Sequence, residues 1–142
     1  WISGRKDVAM KRTARYGDGW LPYMYTPEQL AESLEKIKQY GEELEKDVSH
    51  VVPGLYIFTC VHEDNDTAVK MATERLSKQY SQDFSQLVHK YALAGDPDRC
   101  KARINEYIDA GARFVIISSA CENDYFEQNQ AMMAKEIMSA YR

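Results

Sequence analysis

A chain of 142 residues with a formal net charge of −4 is long enough to bury the core of one domain. That overall acidity argues against a nucleic-acid surface, which would normally be basic. Its 44% hydrophobic and 28% charged residues are ordinary for a globular protein, and no run approaches the roughly 18 apolar residues of a membrane helix.

The chain opens on Trp1-Ile2-Ser3-Gly4, with no methionine and no lead-in. This reads as the tail of a strand entering a loop, so the first half of a larger protein is expected to precede it. Asp7 is placed to cap a helix over Val8–Tyr16, with Val8, Ala9, Thr13 and Tyr16 inward and Lys11, Arg12 and Arg15 in solvent. In the stretch Arg15–Tyr23, Gly17 is expected to close that helix with a positive φ. Gly19 would admit a close backbone approach as a strand over Gly19–Tyr23 begins, and Pro22 ends its usefulness as a ladder residue. Thr26-Pro27-Glu28-Gln29 is a strong helix start: Thr26 caps, Pro27 occupies the first position, and Gln29 completes a capping box. Leu30, Leu34, Ile37, Gly41 and Leu44 then repeat at helical spacing.

Val51 to His62 is an almost unbroken apolar, β-branched and aromatic run, regular from about Leu55, as suits a strand buried on both faces of a parallel sheet. Asp64-Asn65-Asp66 caps a helix over Thr67–Tyr80 with Ala68, Ala72, Leu76 and Tyr80 inward, and a second helical piece is expected over Phe84–Leu93. Gly95-Asp96-Pro97 opens another helix, with Cys100, Ile104, Tyr107 and Ile108 as its stripe and Gly111 as its stop. Phe114–Ile117 is expected to be the most plainly buried strand, with Ser118 and Ser119 at its end. A last helix over Asp124–Tyr141 would turn Phe126, Met133, Ile137 and Tyr141 inward. Three widely spaced cysteines, Cys60, Cys100 and Cys121, fit buried, reduced thiols of a cytoplasmic protein better than a disulfide or metal set. Helices separate every pair of strands, so parallel neighbours joined by right-handed crossovers are expected. Half of an eight-stranded barrel and a small open α/β sheet both satisfy that pattern.

Ile2-Ser3-Gly4-Arg5, Ala14–Pro22, Thr26-Pro27-Glu28 and the block from Gly95-Asp96-Pro97-Asp98 to Tyr107–Ala112 together resemble the bacterial luciferase-like monooxygenase family. The first block is the more specific, because a capped helix ending in Ala-Gly is widespread. The resemblance implies an α/β fold, the C-terminal half of a TIM (β/α)8 barrel, with residues 1–142 forming a single partial domain. It further implies a flavin-dependent oxidoreductase or monooxygenase using reduced FMN or coenzyme F420, acting on a small organic substrate. The strands would be the fifth (its end, Trp1–Ser3), sixth (Gly19–Tyr23), seventh (Leu55–Val61) and eighth (Phe114–Ser118). The family usually has two glycines where Ser3-Gly4 stands, and a serine near the position of Lys6.

On this reading Ser3, Gly4 and Arg5 contact the cofactor phosphate, at the strand end and helix start where a TIM barrel carries its active site. Tyr23 and Tyr25, with Met24 between them, would flank the ring or the substrate. His62 and Glu63 end one strand, and Ser118, Ser119, Cys121 and Glu122 end another. A rim histidine beside a carboxylate suits acid–base work, though a solvated loop residue is the simpler reading. His50, His62 and His89 share no metal-ligand spacing, and no catalytic base can be placed. The isolated chain is expected to bind flavin weakly without turnover. Partners would be the missing N-terminal half or a second copy. The alternative function is a non-catalytic α/β module that self-associates through open sheet edges.

Overall fold

The computed structural model describes residues 1–141. The chain divides into two compact units, Trp1–Tyr56 with Glu106–Ile116, and Ile57–Asn105 with the residues from Ile117 onward.

In the first unit, α1 (Asp7–Tyr16) leads into β1 (Gly19–Trp20), and α2 (Pro27–Glu43) connects β1 to β2 (Val52–Val61). All pairings are parallel: Ile2 bridges Trp20, Gly19 and Trp20 pair with Val52 and Pro53, and Tyr23 bridges Tyr56. The strand end expected at Trp1–Ser3 is therefore present as the Ile2 bridge. Trp20 is fully buried and meets Tyr25 edge-on, with ring centroids 5.6 Å apart. The α2 start is as expected: Thr26 Oγ1 accepts from the Gln29 amide, and Gln29 Oε1 accepts from the Thr26 amide.

Helix α1 differs from expectation in three respects. Its N-cap is Lys6, without a side-chain cap, and Asp7 is its first residue. The inward residues are Ala9, Met10, Thr13 and Ala14, while Val8 and Tyr16 are exposed. Small Ala9 lets the Gly4 loop pack against it, since a Cβ on Gly4 would lie 2.7 Å from the Ala9 Cβ. Gly17 is extended at φ −94°, not left-handed; its N–H reaches Thr13 O, and a Cβ would sit 3.0 Å from that oxygen. Lack of a side chain matters there for space, not for handedness. Gly19 does serve close approach: a Cβ on it would meet the Trp1 ring at 2.7 Å.

In the second unit, α3 (Asn65–Tyr80) is capped by Asp64, whose carboxylate accepts from the Thr67 amide. Short α4 (Val88–Tyr91) leads into β3 (Ala92–Gly95), which pairs in parallel with Phe58–Val61. The helix expected over Phe84–Leu93 is thus reduced to one turn, and its end is strand. The physical reason lies in β2, which is longer than the segment paired to β1 and would otherwise leave backbone groups near its end unsatisfied. Helix α5 (Pro97–Asp109) follows, with the Asp96 carboxylate accepting from the Arg99 amide. Ala68, Ala72 and Leu76 are buried as expected, whereas Tyr80 is exposed and stacks on Phe84 at 5.4 Å.

β4 (Phe114–Ser119) pairs with β2. Phe114 is exposed and the rest of β4 is half-buried, so this strand is not the deeply buried one expected. Its only strand partner among the described residues is β2, so one edge is unpaired and burial is incomplete. The last helix is also interrupted. α6 (Phe126–Met132) passes into a π-turn over Met133–Ile137 and a 3-10 turn over Met138–Tyr141. Met133 and Ile137 point inward, but Phe126 and Tyr141 are exposed. A π-turn carries one extra residue and so shifts the helical register that the sequence spacing assumed.

Candidate functional site

In the first unit, the loop between Ile2 and α1 carries Ser3, Gly4 and Arg5. Gly4 has φ +133°, a conformation that a Cβ strongly disfavours. Two buried aromatic residues hold this loop by its backbone: Trp20 Nε1 donates to Gly4 O at 3.1 Å, and the Tyr25 hydroxyl donates to Arg5 O at 3.0 Å. Tyr25 is itself fixed, since the Ser33 hydroxyl donates to its oxygen and the Tyr107 hydroxyl donates to its carbonyl at 2.6 Å. The side chains of Ser3 and Arg5 remain exposed.

The segment after β1 divides its two tyrosines between surface and core. Met24 is left-handed at φ 51°, a rare state for a residue with a side chain. On one side of it Tyr23 is exposed, with the Arg5 guanidinium 5.3 Å from its ring centroid; on the other, Tyr25 is buried. Tyr23 therefore joins Ser3, Gly4 and Arg5 in one accessible patch, while Tyr25 supports that patch from below. The start of α1 completes it. Lys6 supplies no side-chain cap of the kind that Thr26 and Asp64 give α2 and α3, and the Ala9 amide turns instead to the Lys6 carbonyl at 2.8 Å. Asp7 adds a negative charge in the first turn, and Lys36 Nζ pairs with it at 3.2 Å.

The second unit gathers the other rim candidates. His62 Nδ1 accepts from the Asp64 amide at 2.9 Å, which leaves Nε2 to carry the proton of the neutral ring, and Tyr125 lies 5.5 Å away centroid to centroid. Glu63 is exposed. Ser119 accepts at Oγ from Asn129 Nδ2 and Gln130 Nε2, each at 3.1 Å. Asn129, on α6, was not singled out by any sequence signal, yet it is wholly buried. Its Oδ1 accepts from the Val61 amide at 2.8 Å and its Nδ2 donates to Thr59 O at 3.0 Å. Cys121 is buried, and burial pushes its thiol up. Burial raises Cys60 and Cys100 to about 12, so these thiols are poor nucleophiles at neutral pH. Among the described residues, no three His, Cys, Asp or Glu side chains converge on a possible metal position. No helix among them is long and apolar enough to cross a membrane.

Parallel strands alternating with helices, with polar loops following the strands, are the repeating unit of (β/α)8 barrels. Solved structures agree. An F420-dependent secondary alcohol dehydrogenase, solved with an F420–acetone adduct, superposes with a TM-score of 0.76 at 16% identity, covering 99% of this chain and 48% of that one. The F420-dependent tetrahydromethanopterin reductase of Methanopyrus kandleri gives 0.72 at 14%, covering 99% and 50%. The monooxygenase RslO1 of Streptomyces bottropensis gives 0.73 at 18%, covering 99% and 47%. The chain thus spans about half the length of these structures, and its fold is that of half a TIM barrel. No curated protein matches it. The family model of the luciferase-like monooxygenases matches residues 1–113, and the chain belongs to that family.

Proposed function

We propose that this chain forms the phosphate-contacting side of a flavin site in an oxidoreductase that uses reduced FMN or F420. The observation that carries the reading is the Gly4 turn. It is left-handed, pinned by Trp20 and Tyr25, followed by a helix start that has no side-chain cap, and flanked by the exposed Arg5 guanidinium. Backbone donors, a helix dipole and a guanidinium on one loop suit a phosphate, so the residues present fit the cofactor. Ser3, Gly4 and Arg5 would hold its phosphate, Tyr23 would flank the ring or a small organic substrate, and Tyr25 would keep Arg5 in place. When bound, the cofactor supplies the hydride or the reaction with oxygen, and the protein orients it. The structures in complex with or dependent on F420 support a deazaflavin as readily as FMN.

Fluorescence titration of the 142-residue chain with FMN and with F420 tests this. Weak binding of at least one is expected, reduced about tenfold in Arg5→Ala through loss of a charge-assisted contact. Binding unaffected by that substitution, or none, would refute the assignment, and rapid turnover by the isolated chain would overturn the expectation that it is inactive alone.

A second reading, self-association, rests on the exposed rings of Trp1 and Phe114, which lie 5.1 Å apart beside the unpaired edge of β4. Light scattering would then give a dimer that Phe114→Glu dissociates, whereas a wild-type monomer at micromolar concentration rejects this reading.

A further inference from the structure

An accessible concavity lies in the first unit, in a cleft of about 380 Å³ between α1 and α2 lined by Lys11, Arg12, Arg15, Tyr16, Tyr40 and Glu43, among others. The lining holds three cations and one carboxylate in a chain whose formal net charge is −4, so the local charge runs against that of the whole. Arg15 shares a helix face with Lys11, four residues before it, and with Arg12, three before it. Like charges at that spacing are mutually unfavourable by about 0.2–0.5 kcal/mol per pair. None of the three, nor the neighbouring Lys46, has an ion-pair partner among the described residues.

Part of this cluster has a structural explanation. Arg15 stands in the last turn of α1, where the helix dipole favours a cation, and Lys46 Nζ donates to Arg15 O at 2.7 Å, capping that end. Those effects do not account for Lys11 and Arg12, a turn further back. The aromatic residues line the cleft in the same sense. Lys11 Nζ lies 4.9 Å from the Tyr40 ring centroid, while Arg15 and Lys46 each lie 5.8 Å from that of Tyr16, which is itself exposed. Resting on rings, Lys11 and Arg15 keep their hydrogen-bond donors available to an anion, while Lys46 spends one on the Arg15 carbonyl.

We propose that this cleft binds a phosphate-bearing anion of about nucleotide size, with Lys11, Arg12 and Arg15 on the phosphates and the tyrosines beside the remainder. Its volume falls in the range of small-molecule sites, and guanidinium groups match phosphate geometry. The site is separate from the Gly4 loop in its residues and does not depend on the flavin reading.

The test is isothermal titration of the full chain at low ionic strength with ADP, inorganic pyrophosphate and adenosine. ADP and pyrophosphate should bind, adenosine should not, and affinity should fall as salt rises. Lys11→Ala/Arg12→Ala should weaken binding about tenfold or more through lost charge-assisted contacts. Both side chains are exposed, so melting should be unchanged; if the double variant is unstable, the single Arg12→Gln variant should still show a measurable loss. Arg5→Ala should leave ADP affinity intact. ADP binding tighter than pyrophosphate identifies a nucleotide site, and equal affinities identify a free-anion site. No binding at millimolar ADP and pyrophosphate, or affinities unaltered by the Lys11 and Arg12 substitutions, overturns the proposal.

Discussion

Asn129 shows what a single polar side chain does in the core of the second unit. It satisfies the Val61 amide, reaches Thr59 O and engages Ser119, so it joins the end of β2 to β4 through one amide group. Asn129→Ala would strand the Val61 N–H in a buried site, a loss of about 1–3 kcal/mol for one unsatisfied group. Chemical denaturation should show a lower midpoint, and Asn129→Asp should not restore it, because a carboxylate cannot donate to Thr59 and Ser119. A variant as stable as the parent would show that water substitutes for the amide. This residue was not legible in the sequence because an asparagine within a helical pattern reads as surface. Its β2 partners, Val61 and Thr59, lie 68 and 70 positions earlier in the chain, and no local spacing encodes them. The place of Ser3, Gly4 and Arg5 between a strand end and a helix start was legible, because the apolar pattern stops at Ile2 and a helical one begins within a few residues. The division of labour between exposed Tyr23 and buried Tyr25 was not, because it turns on the left-handed backbone at Met24.

At the scale of elements, sequence and structure agree where a local signal is complete. Thr26, Pro27 and Gln29 carry every group needed to start α2, and the helix begins as the residues require. They part where the deciding partner is distant. Leu93 and Ala94 fit a helix or a strand equally well on their own, and the free edge of β2 decides for strand. On the inner face of α1, Ala9 and Thr13 lie as expected, but Met10 and Ala14 replace Val8 and Tyr16, a rotation of the face that apolar spacing over one short helix does not fix. At the C-terminus, apolar residues at 126, 133, 137 and 141 match a continuous helix, and the π-turn breaks that count after Met132.

For the molecule as a whole, the buried thiols set an alkaline limit. Cys60 and Cys100 ordinarily titrate at 9.0, and burial raises both to about 12 in the folded state. Below the ordinary value both states hold the proton, and the buried thiols contribute their full stabilisation. As pH rises from 9 toward 12 the unfolded chain ionises first, and stability falls until the folded thiols titrate as well. Burial also raises the Tyr125 hydroxyl, which adds to the same trend. The melting temperature should therefore decline steadily above pH 9, with a shallower decline in Cys100→Ala; an identical slope in that variant would remove Cys100 from the explanation. The parallel α/β order was legible at this scale because the repeat of strand and helix is written in local pattern, while the family was legible only through the resemblance of particular blocks such as Ile2–Arg5 and Ala14–Pro22. The exposure of β4 was not, because it depends on which strands stand beside it.

The hydrogen bond from Trp20 to Gly4 also gives the protein an intrinsic optical reporter. The chain has two tryptophans, Trp1 with 58% of its surface exposed and Trp20 with none. A soluble quencher reaches the first and spares the second, so the protected emission belongs to an indole whose N–H is tied to the loop carrying Ser3, Gly4 and Arg5. Events at that loop are thereby readable in unlabelled protein, in a signal separable from that of the surface.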